Sequence, residues 1–316
     1  MLKFSRPRNE MSGAVTTTRY CRYQWNNQLR QHGVCAFIAP RGSGKSTLMR
    51  YVLYEIRKRF DLAVAFVGSP DAAAHMQHYI HKAFVFSNMD SAELNDRLEA
   101  VVDEAEALAH KGTPRRVCII LEDLGDDRRF MRANPSLKRI CARGRHSGIT
   151  LIFSAQHAHQ IPPEVRCNLD TLAFLYTKGE ERESIRKAFF SSLNKREFDF
   201  LVERLCINFQ AIVLDTTRQQ GDLSKCIFFT KAPLTIPPFT LLSPVFRAIA
   251  KTMELSESET ASRDEQLRRQ RKVDRARRMN RRCGRQTPIE STKQVTVAVD
   301  ADTIEVRSVP VTAMDM

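Results

Sequence analysis

A chain of 316 residues, 42% apolar and 27% charged, has enough apolar side chains for one large or two ordinary cores, which excludes wholesale disorder. Fifty Lys and Arg against 36 Asp and Glu leave a formal charge of +14, which admits a polyanionic partner without requiring one. No apolar run reaches the ~18 residues of a transmembrane helix, and the opening MLKFSRPRNEMSG lacks the apolar centre of a secretory signal. The eight scattered cysteines contain no CxxC pair and read as free thiols in a reducing compartment.

In chain order, the expected organisation is an N-terminal extension (1–33), a compact core (34–232), a Pro-containing extended segment (233–250) and a flexible tail (251–316). Trp25, the sole tryptophan, is expected to pack in the core or anchor the extension. Within the core, buried strands are predicted at 34–39, 62–68, 117–121, 149–155, 171–177 and 211–215. Their runs are apolar almost without break, as in a parallel sheet covered on both faces. Between them, residues 47–60 form an amphipathic helix ending in a basic turn. Residues 91–110 form a second, with Ser91 as the expected N-cap. The alternation predicts an α/β fold: a mainly parallel central sheet with helices on both faces and right-handed crossovers.

The strongest motif is APRGSGKST, comprising Ala39, Pro40, Arg41, Gly42, Ser43, Gly44, Lys45, Ser46 and Thr47. It directly follows an apolar strand and directly precedes a helix. Glycines at 42 and 44 let the backbone curl so that successive N–H groups point into one concavity, and the helix adds the positive end of its dipole there. Lys45 is expected to reach the β- and γ-phosphates of ATP, and the Ser46 hydroxyl to join the shell of a Mg²⁺ ion. Ala39 stands where the GxxxxGK[ST] pattern has its first Gly, a small residue in place of a smaller one.

A phosphate cradle of this kind needs acids on a nearby strand. VCIILED (117–123) delivers Glu122 and Asp123 to a strand's C-terminal edge, where ligands of α/β sheets collect. Glu122 is assigned to the metal side and Asp123 to the attacking water, although Glu122 stands where an Asp is usual. Asp126 and Asp127 follow as loop charges or auxiliary ligands. A further apolar strand, ITLIFSAQ, ends in Gln156, placed to sense the γ-phosphate or orient water.

Taken together, APRGSGKST, VCIILEDLGDD and RGRHSGITLIFSAQHAHQIPPEVRCNLDTLAFL (143–175) resemble the FtsK–HerA superfamily of DNA-pumping ATPases. The closer resemblance is to the genome-packaging ATPases of poxviruses and other large DNA viruses, carried by Arg145–His146, Gly148, Gln156, Pro162, Arg166 and Asn168. It covers residues 34–232 and implies a RecA-like P-loop ATPase with an added strand between the P-loop strand and the acidic strand. It also implies a homo-oligomeric ring in which a neighbour's arginine reaches each nucleotide. Arg145 is the first candidate for that arginine, followed by Arg143 and Arg166.

The positive charge concentrates in 263–285, which carries eleven basic residues against three acids. Arg268, Arg269, Arg271, Lys272, Arg275, Arg277, Arg278, Arg281 and Arg282 form a candidate phosphate-binding arm for DNA, or a nuclear-import signal, with a solvated charged helix as the plain alternative. His75, His78 and His81 lack the further ligands of a zinc site. The reading that gathers these features is an ATP- and Mg²⁺-dependent motor that moves double-stranded viral DNA into a preformed capsid. It would dock on a capsid portal or capsid protein in the infected host cell. The rivals are a cellular or plasmid translocase of the same superfamily, a small-molecule P-loop kinase, and a non-enzymatic nucleic-acid-binding protein.

Overall fold

Val34–Ile38, five residues with no charge among them, form a strand buried along its whole length, a position that requires cover on both faces. The computed structural model describes residues 2–5, 17–124, 134–218, 223–252, 292–300 and 303–310. In chain order the strands are β1 (Leu2–Ser5), β2 (Thr17–Arg22), β3 (Val34–Ile38), β4 (Leu62–Val67), β5 (Val85–Phe86), β6 (Val117–Glu122), β7 (Ile149–Ala155), β8 (Thr171–Phe174), β9 (Gln210–Asp215) and β10 (Ile227–Lys231). They form one sheet in the order β1-β2-β10-β9-β8-β3-β7-β6-β4-β5. The six strands from β8 to β5 run parallel, whereas β9 is antiparallel to both of its neighbours. β7 lies between the P-loop strand β3 and the acidic strand β6, the added strand that the resemblance implies.

The period of two along β3 divides the core. Val34, Ala36 and Ile38 face one way, with α4 (Ser91–His110), α5 (Pro135–Arg143), α7 (Gly179–Phe189) and α8 (Lys195–Leu205) supplying Leu98, Ile140, Ile185 and Phe198 to that layer. Cys35 and Phe37 face the other way, against α1 (Trp25–Gln28), α2 (Lys45–Ile56) and α3 (Pro70–Met76). The remaining helices are α6 (Pro163–Cys167), α9 (Leu223–Cys226) and α10 (Pro244–Thr252). This is the expected α/β arrangement, a mainly parallel sheet with helices on both faces.

Several boundaries differ from expectation. Residues 17–33 are part of the sheet layer: β2 pairs in parallel with β10, and Tyr23, Trp25 and Leu29 are buried. Trp25 stacks on Phe37 at 6.0 Å between ring centres, and its Nε1 donates to Thr230 Oγ1 at 3.0 Å. The segment 233–250 is not extended throughout, because α10 begins at Pro244 and Leu241, Leu242 and Ala250 are buried. The N-cap of α4 is Asp90, not Ser91: its Oδ1 accepts from Ala92 N at 2.9 Å and Glu93 N at 2.8 Å. A carboxylate there also meets the positive end of the helix dipole. The chain divides at Met253/Glu254, and the second unit contains an antiparallel pair, β11 (Thr292–Asp300) and β12 (Thr303–Pro310). The basic segment 263–285 and Asp126 and Asp127 lie outside the described residues.

Candidate active site

Parallel strands that end on the same edge bring their terminal residues together. β3 ends at Ile38, β6 at Glu122 and β7 at Ala155, so the P-loop, the two acids and Gln156 meet at the C-terminal edge of the sheet. Pro40 O accepts from Ser43 N at 3.3 Å and from Ser43 Oγ at 2.6 Å, closing the first turn of the loop. Gly44, at φ +92°, is the N-cap of α2, a left-handed conformation that a side chain disfavours. Lys45, Ser46 and Thr47 are thus the first residues of a twelve-residue helix, with their N–H groups at its open end. The resulting cleft, of about 400 Å³, is bounded by Pro40–Gly42 and Gly44–Thr47 on one side and by Ala72, Glu122, Asp123 and Gln156 on the other.

Two hydrogen bonds tie the predicted residues into one site. Ser46 Oγ donates to Glu122 Oε1 at 3.1 Å, and Gln156 Nε2 donates to Asp123 Oδ1 at 2.8 Å. Glu122 is 3% exposed, and burial pushes its carboxyl pKa above the ordinary range, while the Ser46 hydrogen bond and the Lys45 charge pull it back. Burial lowers the Lys45 ammonium from its ordinary value, with Asp123 and Glu122 opposing the shift. A cation and two carboxylates thus share a partly dry cleft, where charge is poorly screened and a polyphosphate finds a positive counterpart. Ser46 and Glu122 supply two hard oxygen donors at one point, a donor set that fits Mg²⁺.

Three residues that do not stand out from the sequence, Gly68, Gln160 and Glu181, hold this arrangement. Asp123 leaves β6 with φ +57°, a left-handed turn that aims its side chain away from the strand line. Gly68, just after β4, makes room for it: a Cβ on Gly68 would lie 2.1 Å from Asp123 O, while its own N–H donates to Glu122 O at 3.0 Å. A Gly closing an apolar strand before a Ser-Pro helix start (VGSP) was the available signal. Gln160 Oε1 accepts from both Gln156 N at 2.8 Å and His157 N at 3.0 Å. Glu181, on α7, accepts from Ala158 N at 2.7 Å and pairs with His157 Nδ1 at 2.9 Å. The turn after Gln156 is therefore clamped from two sides, and His157 serves that clamp.

Arg145 is not at this site. It precedes β7 on the opposite edge of the sheet, and the seven residues of β7 put roughly 20 Å between it and the phosphate cradle. Its guanidinium donates to Asp170 Oδ1 at 2.7 Å. Asp170 is buried and also accepts from Arg30 Nη1 at 3.2 Å and Val34 N at 2.9 Å. Arg143 and Arg166 have no side-chain ion pair among the described residues. His81 Nδ1 accepts from Ala83 N, and no group of three or more His, Cys, Asp or Glu forms a metal cluster among the described residues.

A glycine-rich loop capping a helix, with acids two strands away and a glutamine on the strand between, defines a P-loop ATPase. The family described as Poxvirus A32 protein matches residues 20–208, and the chain belongs to it. It is 24% identical over 222 residues to uncharacterized protein 015R of Frog virus 3 (isolate Goorha), covering 69% of this chain and 68% of that protein. It is 24% identical over 201 residues to uncharacterized protein 088R of Invertebrate iridescent virus 3, covering 62% of this chain and 74% of that one. Among solved structures it resembles the genome packaging NTPase B204 from Sulfolobus turreted icosahedral virus 2 in complex with AMPPCP, at 16% identity and a TM-score of 0.47. That match covers 64% of this chain and 99% of that one. No described helix is long and apolar enough to cross a membrane.

Proposed function

We propose that this viral packaging ATPase hydrolyses Mg²⁺-ATP and couples each turnover to moving double-stranded DNA into a preformed capsid, working as a homo-oligomeric ring docked on a capsid portal or capsid protein. The observation that carries the reading is the double tie at the sheet edge, Ser46 to Glu122 and Gln156 to Asp123, directly facing Lys45. Backbone N–H groups of Gly42–Thr47 hold the phosphates, and Lys45 neutralises the charge between the β- and γ-positions. Ser46 and Glu122 would hold Mg²⁺, which when bound screens the phosphate oxygens. Asp123 accepts the hydrogen bond of a water placed in line with the γ-phosphorus, and Gln156 fixes that carboxylate. A bond forms from the water oxygen to phosphorus, the bond to the β–γ bridging oxygen breaks, and ADP and phosphate leave.

Grip on DNA is assigned to the basic segment 263–285, from Arg268, Arg269, Arg271 and Lys272 to Arg281 and Arg282. The natural place of work is the assembly site of an infected cell. The test is ATP turnover with and without duplex DNA, run beside phosphate transfer to nucleosides. Duplex stimulation without acceptor phosphorylation is the expected result. Transfer to a nucleoside, with turnover indifferent to DNA, makes the protein a kinase instead.

A further inference from the structure

The order of the strands fixes the direction in which a nucleotide lies. Glu122 and Asp123 end β6 and Gln156 follows β7, so every group suited to the terminal phosphate lies on one side of β3. The nucleoside must therefore leave the cradle on the other side, over β8 and β9. There the surface is aromatic. Tyr176, two residues past β8, is 40% exposed, with the Arg182 guanidinium 5.1 Å from its ring centre. Phe209, one residue before β9, is 71% exposed, and a Cβ placed on Gly44 would lie only 3.3 Å from its Cδ1.

An apolar ring left in water beside a phosphate loop is not explained by packing. Its backbone is also unusual: Asn208 and Phe209 are consecutive non-glycine residues with φ of +50° and +61°. A bulky side chain in the left-handed region is strained, and such strain collects where the displayed group has a use. Glycine at 209 would adopt this turn without strain, but it would display nothing.

We propose that Phe209 is the platform on which the base of the bound nucleotide stacks, with Tyr176 on the adjoining strand end bordering the same pocket. The proposal rests on the nucleotide-binding reading above and adds the group that recognises the nucleoside end. Stacking on an aromatic face is worth about 1–3 kcal/mol per base, and about 1.4 kcal/mol is a tenfold change in affinity.

The test is calorimetric binding of Mg²⁺-ATP and of inorganic tripolyphosphate to the full chain and to Phe209→Ala and Phe209→Tyr. The expected result is an ATP affinity lowered at least about fivefold in Phe209→Ala and kept in Phe209→Tyr, with tripolyphosphate affinity unchanged throughout. An unchanged ATP affinity in Phe209→Ala overturns the platform. An equal loss for both ligands also overturns it, because Phe209 then only shapes the loop at Gly44. Wild-type protein that binds ATP no better than tripolyphosphate refutes the platform while leaving the phosphate site standing. Wild-type protein that binds neither removes the nucleotide site itself, and the platform with it.

Discussion

Gln156 Nε2 donates to Asp123 Oδ1 over 2.8 Å, joining the ends of two adjacent parallel strands across the mouth of the phosphate cleft. One oxygen of Asp123 is thereby held, and the other remains for water. Gln156→Ala is expected to lower kcat by roughly 10²-fold, the scale of losing a positioned proton acceptor, while ATP affinity changes little. Gln156→Glu should be at least as damaging, because two carboxylates would then meet at hydrogen-bond distance. Steady-state turnover combined with equilibrium binding checks both. A fall in affinity that matches the fall in kcat would move Gln156 from the chemistry to binding.

Gly68 gives an independent handle on the same acid. Adding a Cβ there brings it within 2.1 Å of the Asp123 carbonyl, so either β4 or Asp123 must shift. Gly68→Ala is expected to cost about 1–3 kcal/mol of stability, as overpacking does, and to depress turnover more than ATP binding. Thermal melting and binding separate the two effects. Wild-type turnover in this variant would show that Asp123 tolerates displacement and is not the water's partner.

Glu122 links pH to stability. Burial raises its pKa in the folded protein, so the fold holds this proton more tightly than the unfolded chain does. The stability it contributes is complete below the unfolded value and is lost as pH rises through the folded one. Glu122→Gln keeps an acceptor for Ser46 but carries no charge. Its melting temperature, measured without nucleotide, is therefore expected to exceed that of wild type by a margin that widens as pH rises above the ordinary carboxylate range. The same variant should lose the Mg²⁺-dependent part of its ATP affinity. A margin independent of pH would mean that the carboxyl is not strained by burial.

The parts of this site legible from sequence are those written in local chemistry. Continuous apolar runs mark β3, β4, β6 and β7 because both faces of those strands are covered, and the P-loop and VCIILED follow from their positions at strand ends. What was not legible depends on distant partners. Thr17–Arg22 has no apolar pattern, since Arg19, Cys21 and Arg22 face solvent, and it becomes a strand by pairing with β1 and β10. Gly68 matters because of a carbonyl 55 positions away, and Glu181 because α7 returns to the turn after Gln156. Phe209 reads as one more apolar residue in CINFQ until the fold sets it beside Gly44.

The basic segment makes its own prediction. Phosphate contacts release counterions, so each one adds about 0.9 to the slope of log affinity against log salt on duplex DNA. Deleting 261–285 is expected to weaken duplex binding and flatten that slope while leaving DNA-free ATP turnover intact. Filter binding over a salt series checks it. An unchanged slope would reject the arm and leave import as the reading of that cluster.

Arg145 poses the sharpest question, because its own nucleotide is out of reach on the far edge of the sheet. In the proposed ring, the nucleotide that Arg145 would reach is a neighbouring subunit's. Asp170 binds Arg145 and Arg30 together and also accepts from Val34 N, so it keeps two partners if Arg145 swings away. Release therefore does not leave a bare buried charge, the arrangement that would make the swing costly. Arg145→Ala and Lys45→Ala subunits are each expected to be inactive alone. When mixed, they form some interfaces with an intact P-loop on one side and an intact arginine on the other, and turnover should partly return. If no ratio restores it, and Arg145→Ala melts earlier to the same extent as Asp170→Asn, then Arg145 is a tether for Asp170, and the trans role passes to Arg143 or Arg166.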